Sequence, residues 1–150
     1  MKKLAAFVVA GAAVTLVVAA FAPAAAVEKY TVKATLKRAK EVPRPKGGLL
    51  ARGSFTGTVV ENKSGGTLTW TLSFSRLTGK AVAAHIHMGK PGVAGPVIVP
   101  LCGPCTNGMK GTAKISKSVI AAVEKGNTYV NVHTPKNAAG EIRGQVSVSG

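Results

Sequence analysis

Three histidines are the residues of this chain best suited to hold a ligand, and two of them are one residue apart. His85 and His87 lie in AAHIHM, and His133 lies in YVNVHT. Side chains at i and i+2 of a strand share one face, so a strand at AAHIHM would let both imidazoles bind one ion. A third imidazole from a neighbouring strand would complete a set that suits copper or zinc and leaves one position open.

Alternation of apolar and polar residues predicts which way these side chains point. The core side is predicted to hold Ala84, Ile86, Met88, Val130 and Val132. His85, His87 and His133 then point outward on a solvated face, together with Tyr129 and Asn131. With no aspartate in the chain, Glu141 or backbone carbonyls would have to orient the rings. The alternative is a pair of exposed histidines on an edge strand, without any ligand.

The segment EIRGQVSV predicts a further strand that borders the same surface. Ile142, Val146 and Val148 are expected inside, and Glu141, Arg143 and Gln145 outside. Arginine forms bidentate contacts with carboxylates, so Arg143 is a candidate anion-binding residue. If Arg143 only pairs with Glu141, the patch is a structural network.

Period-two patterns continue over almost all of the remaining chain. KYTVKATLK, GSFTGTVVEN and TLTWTLSFS alternate clearly, and further strands are predicted at 82–88, 96–101, 111–115, 129–134 and 141–148. SKSVIAAVEKGN instead places Val119, Ile120 and Val123 on one helical stripe. We predict an all-β fold, an antiparallel Greek-key β-sandwich or barrel with one short helix near 117–125.

The first 26 residues have the layout of a secretory signal peptide. Lys2 and Lys3 precede an apolar stretch that ends in small residues, and Ala24 and Ala26 predict cleavage after Ala26. Ala22 and Ala24 offer another site, and an uncleaved membrane anchor is the alternative. We predict one domain over 27–150, secreted or in the periplasm or cell envelope, with no membrane span after cleavage.

The charge of the remaining chain is strongly positive. Eighteen basic and five acidic residues give residues 27–150 a net charge of +13. Such a field attracts anionic envelope polymers, although the same lysines also serve as a solvated face that keeps a protein soluble. Aromatic residues are not interleaved with the basic ones, which argues against specific nucleic-acid binding.

The only two cysteines, Cys102 and Cys105, lie in LCGPCTNG. The CGPC tetrapeptide is familiar from thioredoxins, but that function needs a helix after the motif, and TNGMKGTAK is typical of a loop and a strand. An exported chain meets oxidising conditions, which favours a local disulfide between Cys102 and Cys105.

LKRAKEVPRP, AHIHMGKPGVAGPVIVPL and NTYVNVHTPKNAAGEIRGQV together resemble the CHRD domain over residues 30–148. This domain was first described in chordin, an extracellular antagonist of growth factors, and also occurs singly in secreted bacterial proteins. The resemblance implies a secreted β-sandwich. Together with the positive charge, it favours a non-enzymatic binding module whose partner is an anionic envelope polymer or an extracellular protein.

A more distant similarity links the chain to Cu/Zn superoxide dismutase, a Greek-key barrel with a copper site. By that similarity His85, His87 and His133 match copper ligands, and Arg143 matches the arginine that guides the anion. The bridging histidine, the other zinc-site histidines and the zinc aspartate have no counterparts in this sequence. The alternative function is therefore a copper- or zinc-binding protein with a three-histidine site and possible redox activity.

Overall fold

The computed structural model describes residues 27–47 and 49–149, so the signal peptide predicted at 1–26 lies outside the described residues. Nine strands, one short 3₁₀ helix at Arg38–Lys40 and one α-helix make up this part of the chain. The strands are β1 Lys29–Lys37, β2 Arg52–Asn62, β3 Gly65–Ser75, β4 Ala83–Met88, β5 Val97–Cys102, β6 Met109–Ser116, β7 Thr128–His133, β8 Ile142–Gln145 and β9 Ser147–Ser149. The helix α1 spans Lys117–Glu124.

All strand pairs are antiparallel, and the strands form one strongly curved sheet. Their order is β5-β4-β7-β8-β1-β2-β3-β6, with β9 paired to β1. The sheet is a nearly closed barrel, which confirms the predicted all-β antiparallel class with one short helix.

Alternation builds the core of the barrel, because each strand sends every second side chain inward. Phe55, Leu72, Val130 and Val132 are among the fully buried apolar side chains that meet there. Helix α1 begins where the Ser116 hydroxyl accepts a hydrogen bond from the Val119 amide (3.3 Å), which is ordinary N-terminal capping. The helix buries Ile120 and Val123 against the core.

The prediction that Val148 lies inside was wrong. Val148 is 43% exposed, whereas Ile142 and Val146 are buried as expected. The reason is that β9 is only three residues long and, within the described chain, pairs with β1 alone. Its outer edge therefore has no neighbouring strand to cover the side chain.

None of the helices in the described residues is both long and apolar enough to cross a membrane.

Candidate functional site

Strands β4 and β7 bring the three histidines together. The two strands pair with His85 opposite Asn131, His87 opposite Tyr129 and Ala83 opposite His133. His133 is therefore the diagonal neighbour of His85 on the same face of the sheet. One ring nitrogen from each histidine can be chosen so that all three lie within 4.8 Å of one another.

Backbone carbonyls fix the orientation of two of these rings. His87 Nδ1 lies 2.8 Å from the Gly95 carbonyl oxygen, and His133 Nδ1 lies 2.9 Å from that of Ala138. A carbonyl can only accept, so in the neutral rings the proton is on Nδ1 and the lone pair is on Nε2. The sequence left open whether Glu141 or backbone carbonyls orient the imidazole rings. For His87 and His133, backbone carbonyls do so.

The remaining nitrogens of the three rings lie close together. His133 Nε2 accepts a hydrogen bond from His85 Nδ1 (3.1 Å), because the proton of the neutral His133 ring is on Nδ1, and His87 Nε2 is buried without a hydrogen-bond partner. Two ligands of a tetrahedral ion, each about 2.0–2.1 Å away, would lie roughly 3.3 Å apart. The spacing between His85 and His133 is therefore close to the one that a shared ion requires.

The surroundings lower the pKa of two of these imidazoles, His85 and His133. Burial lowers the pKa of His85, and the nearby His133 and His87 lower it further. Burial also lowers the pKa of His133, with a smaller opposing effect from its hydrogen bond to Ala138. Neutral imidazole is the form that binds a metal ion, so the lowered pKa values of His85 and His133 favour metal binding.

The histidine face points away from the core, but the expectation that solvent covers it was wrong. His87 and His133 are only 8% and 9% exposed, and Asn131 is fully buried. The cause is a cover loop, residues 89–96, that lies over the face. Its Gly95 amide donates to the Tyr129 hydroxyl (3.1 Å), and its Gly89 carbonyl accepts from Gln145 (2.6 Å).

Arg143 lies on the same face and is only 1% exposed. Its Nη2 donates to the carbonyls of Lys90 and Val93 in the cover loop, at 2.9 Å each. Its guanidinium carbon lies 3.3 Å above the Tyr129 ring centre, and that ring stacks on His87 with centroids 4.8 Å apart. Tyr129 thus stands between the arginine and the histidine cluster, so Arg143 does not join the three rings.

Glu141 has different partners from those expected, because Arg143 does not pair with it. One carboxylate oxygen accepts from the Thr78 amide, and the other accepts from the hydroxyls of Thr78 and Thr134 and from the Asn137 amide group. Burial alone would raise the pKa of Glu141, but these hydrogen bonds outweigh it and lower the pKa. Glu141 therefore belongs to a structural network.

Glu41 is a buried residue of this region that the sequence reasoning missed. It is 5% exposed, and its Oε2 has no hydrogen-bond partner. Burial raises the pKa of Glu41 to about 7, against smaller opposing effects of the Val42 amide, the Arg143 charge and Asn131. The available signal was one acid within the basic stretch LKRAKEVPRP, in a chain with five acids altogether.

Cys102 and Cys105 form a disulfide, with their Cα atoms 5.3 Å apart. The bond links the end of β5 to the loop that precedes β6, and the next element after the motif is strand β6 and not a helix. This arrangement agrees with the predicted local disulfide. A thioredoxin-like motif would instead require a helix directly after the second cysteine.

The barrel with its covered histidine face defines a small β domain, and its sequence identifies the family. The CHRD domain family model matches residues 32–146, so the chain belongs to the CHRD domain family. Comparisons with curated proteins and with solved structures gave no match.

Proposed function

We propose that this CHRD-domain protein binds one copper or zinc ion through His85, His87 and His133. The observation that carries the proposal is the convergence of three imidazole rings, two of which are held by backbone carbonyls with the lone pair on Nε2. Histidines that ligate a metal commonly donate their other ring N–H to such a carbonyl. A buried Nε2 without a partner, as in His87, is also unusual in a folded protein, and its lone pair is able to bind a metal ion.

The donor set favours copper and zinc over harder ions. Magnesium and calcium prefer oxygen ligands, whereas imidazole suits zinc and copper. Three protein ligands would leave a fourth position for water or another small ligand. We propose a binding role more readily than a catalytic one, because the residues that complete a dismutase site have no counterparts in the sequence.

The proposed location is outside the cytoplasm, either secreted or in the cell envelope. The composition of residues 1–26 and the Cys102–Cys105 disulfide support it, since disulfides persist in oxidising compartments. Mass spectrometry of the exported protein tests the proposal, with Val27 expected as its first residue.

Calorimetric titration with Zn²⁺, and separately with Cu²⁺, tests metal binding. We expect one ion per chain, and at least about a 100-fold loss of affinity in His87→Asn and in His133→Asn. Lys110→Gln, an exposed change on β6, serves as the control with wild-type affinity. Wild-type affinity in either histidine variant, with an unchanged melting temperature of the apo protein, would contradict the proposal.

Charge at the surface favours a second function, binding to anionic polymers. Lys29, Lys33 and Lys37 are exposed along β1, and Arg52 lies directly opposite Lys37. Two of the five acids, Glu41 and Glu141, are buried and do not compensate these charges at the surface. Only one ion pair, Lys117–Glu61, occurs in the described part of the chain.

A heparin column tests this second function by its salt dependence. Counterion release makes polyanion binding weaken steeply as salt rises, so elution is expected at a defined salt concentration. The triple change of Lys29, Lys33 and Lys37 to glutamine should elute earlier than a matched triple change of Lys63, Lys110 and Lys114. Retention that is independent of salt, or equal shifts in the two triple variants, would rule out binding by the β1 surface.

A further inference from the structure

We infer that a cavity in front of Arg143 binds a small organic carboxylate. The cavity has a volume of about 270 Å³ and lies between the segment after β1 and the cover loop. It is lined by Ala39, Lys40, Val42, Pro91, Gly92, Arg143 and Gln145. This site is separate from the histidine cluster, and the inference does not depend on the proposed metal ion.

The first argument is the unmatched charge of Arg143. Its Nη2 is satisfied by two carbonyls, but its Nη1 is buried and has no hydrogen-bond partner. Within the described residues no carboxylate oxygen comes within 4.0 Å of the guanidinium, since the sole ion pair there is Lys117–Glu61. The charge of this buried guanidinium is therefore not balanced by a paired carboxylate, so a bound anion would stabilise the arrangement.

The nearest acid supplies only part of the missing negative charge. Glu41 exerts a favourable electrostatic effect on Arg143 without forming an ion pair. Burial raises the pKa of Glu41 to about 7, so near neutral pH a substantial fraction of this carboxyl is uncharged. Lys40 adds a further positive charge where it lines the cavity. The site therefore has an excess of positive charge.

The second argument is that the guanidinium is held in place before a ligand arrives. Tyr129 supports one of its faces at 3.3 Å, and the cover loop holds Nη2. Gln145 is fixed in the same way, because its amide nitrogen donates to the carbonyls of Gly89 and Gly126. A rigid donor loses little freedom on binding, which favours affinity for a small ligand.

The shape and lining of the cavity indicate the chemical class of the ligand. A volume of about 270 Å³ corresponds to roughly nine water molecules, which is more than a lone chloride ion would fill. Ala39, Val42 and Pro91 supply apolar wall, on which a hydrocarbon group can pack. One buried cation with apolar walls fits an organic acid, whose carboxylate meets Arg143 and whose carbon chain meets the walls.

The experiment titrates the metal-free protein with propionate and follows amide chemical shifts by NMR. Propionamide, which has the same shape without the charge, is the matched probe, and inorganic phosphate is the competitor. We expect saturable shifts at Arg143 and in the cover loop with propionate, and none with propionamide. Shifts that propionate and phosphate produce equally and that vanish at 0.5 M NaCl would indicate only the general field of the basic surface, and would overturn the inference.

Three variants connect this binding to the cavity. Arg143→Gln is expected to weaken propionate binding at least tenfold. Because the Arg143 side chain is buried and its replacement can disturb the fold, two variants at exposed positions are tested beside it. Lys40→Gln should weaken binding severalfold, and Ala39→Leu should block the cavity without any change of charge. Lys110→Gln is the control. Wild-type affinity in both Lys40→Gln and Ala39→Leu would overturn the inference.

The outcome is distinguishable from that of the metal proposal. Tyr129 separates Arg143 from His87, so His133→Asn should retain propionate binding while it loses zinc binding. Propionate binding that disappears in His133→Asn, with the fold intact, would overturn the assignment of two separate sites.

Discussion

Glu141 and Glu41 are two buried carboxyl groups with opposite surroundings. Four hydrogen bonds from Thr78, Thr134 and Asn137 reach the oxygens of Glu141, and its pKa is lowered. One oxygen of Glu41 has no partner, and burial raises its pKa to about 7. The region around Glu141 is a structural network in which hydrogen bonds satisfy both carboxylate oxygens. The region around Glu41 instead contains buried polar atoms that have no hydrogen-bond partner.

Four of the seven buried side-chain atoms without a hydrogen bond in the described residues belong to the second region. Glu41 Oε2, His87 Nε2, Asn131 Oδ1 and Arg143 Nη1 are all buried without a hydrogen bond. Folded proteins satisfy nearly all buried polar atoms, and the exceptions call for a ligand, an ion or water. The Glu141 network contributes no atom to this set within the described residues.

The largest effect is expected from Glu141→Gln. The change removes the charge and presents an NH₂ group to donors that have lost their acceptor, so the free energy of unfolding should fall by about 3 kcal/mol. Urea denaturation at pH 7 measures it. Glu124→Gln, at an exposed position, is the control and should change stability by less than about 0.5 kcal/mol. A loss below about 1 kcal/mol for Glu141→Gln would remove the contrast between the two carboxyls.

The second effect is a pH dependence at Glu41. Its pKa is higher in the folded chain than the ordinary 4.5, so its contribution to stability is complete below pH 4.5 and is lost as pH rises through about 7. The Glu41→Gln variant has no carboxyl group to ionise at this position, so it does not lose this contribution to stability as pH rises. The stability of the variant relative to wild type should therefore increase by about 2 kcal/mol between pH 5 and pH 8. Urea denaturation at both pH values measures the change, and a difference independent of pH would show that Glu41 titrates normally.

The smallest effect is expected from Tyr129→Phe, which tests how the cover loop is attached. The variant keeps the ring beneath Arg143 but loses the hydroxyl that accepts from the Gly95 amide. We expect a loss of about 1 kcal/mol of stability and faster hydrogen exchange at Gly95. Unchanged exchange at Gly95 would mean that the other hydrogen bonds hold the loop without Tyr129.

Much of the fold and of the histidine cluster could be predicted from the sequence, because strand alternation is a local pattern. The positions of Ile86, Val130 and Val132 in the core determine that His85, His87 and His133 share the opposite face. Register then brings them close, and a slip of one residue would have exposed the apolar side chains.

The covering of that face could not be predicted in the same way. It depends on how a loop packs on a distant strand, and residues 89–96 have no periodic pattern that would indicate a buried underside. The burial of Glu41 has the same origin, because a Cβ at Gly140 would overlap its carboxylate, and these residues are far apart in sequence. Contacts of this kind follow from tertiary packing, which local propensity does not encode.

The cover loop is held through its backbone, and this has a consequence for engineering. Arg143, Gln145 and His87 bind its carbonyl oxygens, while Val93 and Ala94 are exposed side chains that take no part in these hydrogen bonds. Gly95 must remain glycine, because a Cβ there would overlap the Met88 carbonyl. The side chains of the two positions before it are therefore suitable for attaching a fluorescent label a few residues from both proposed sites, because the label would leave the backbone carbonyls in place.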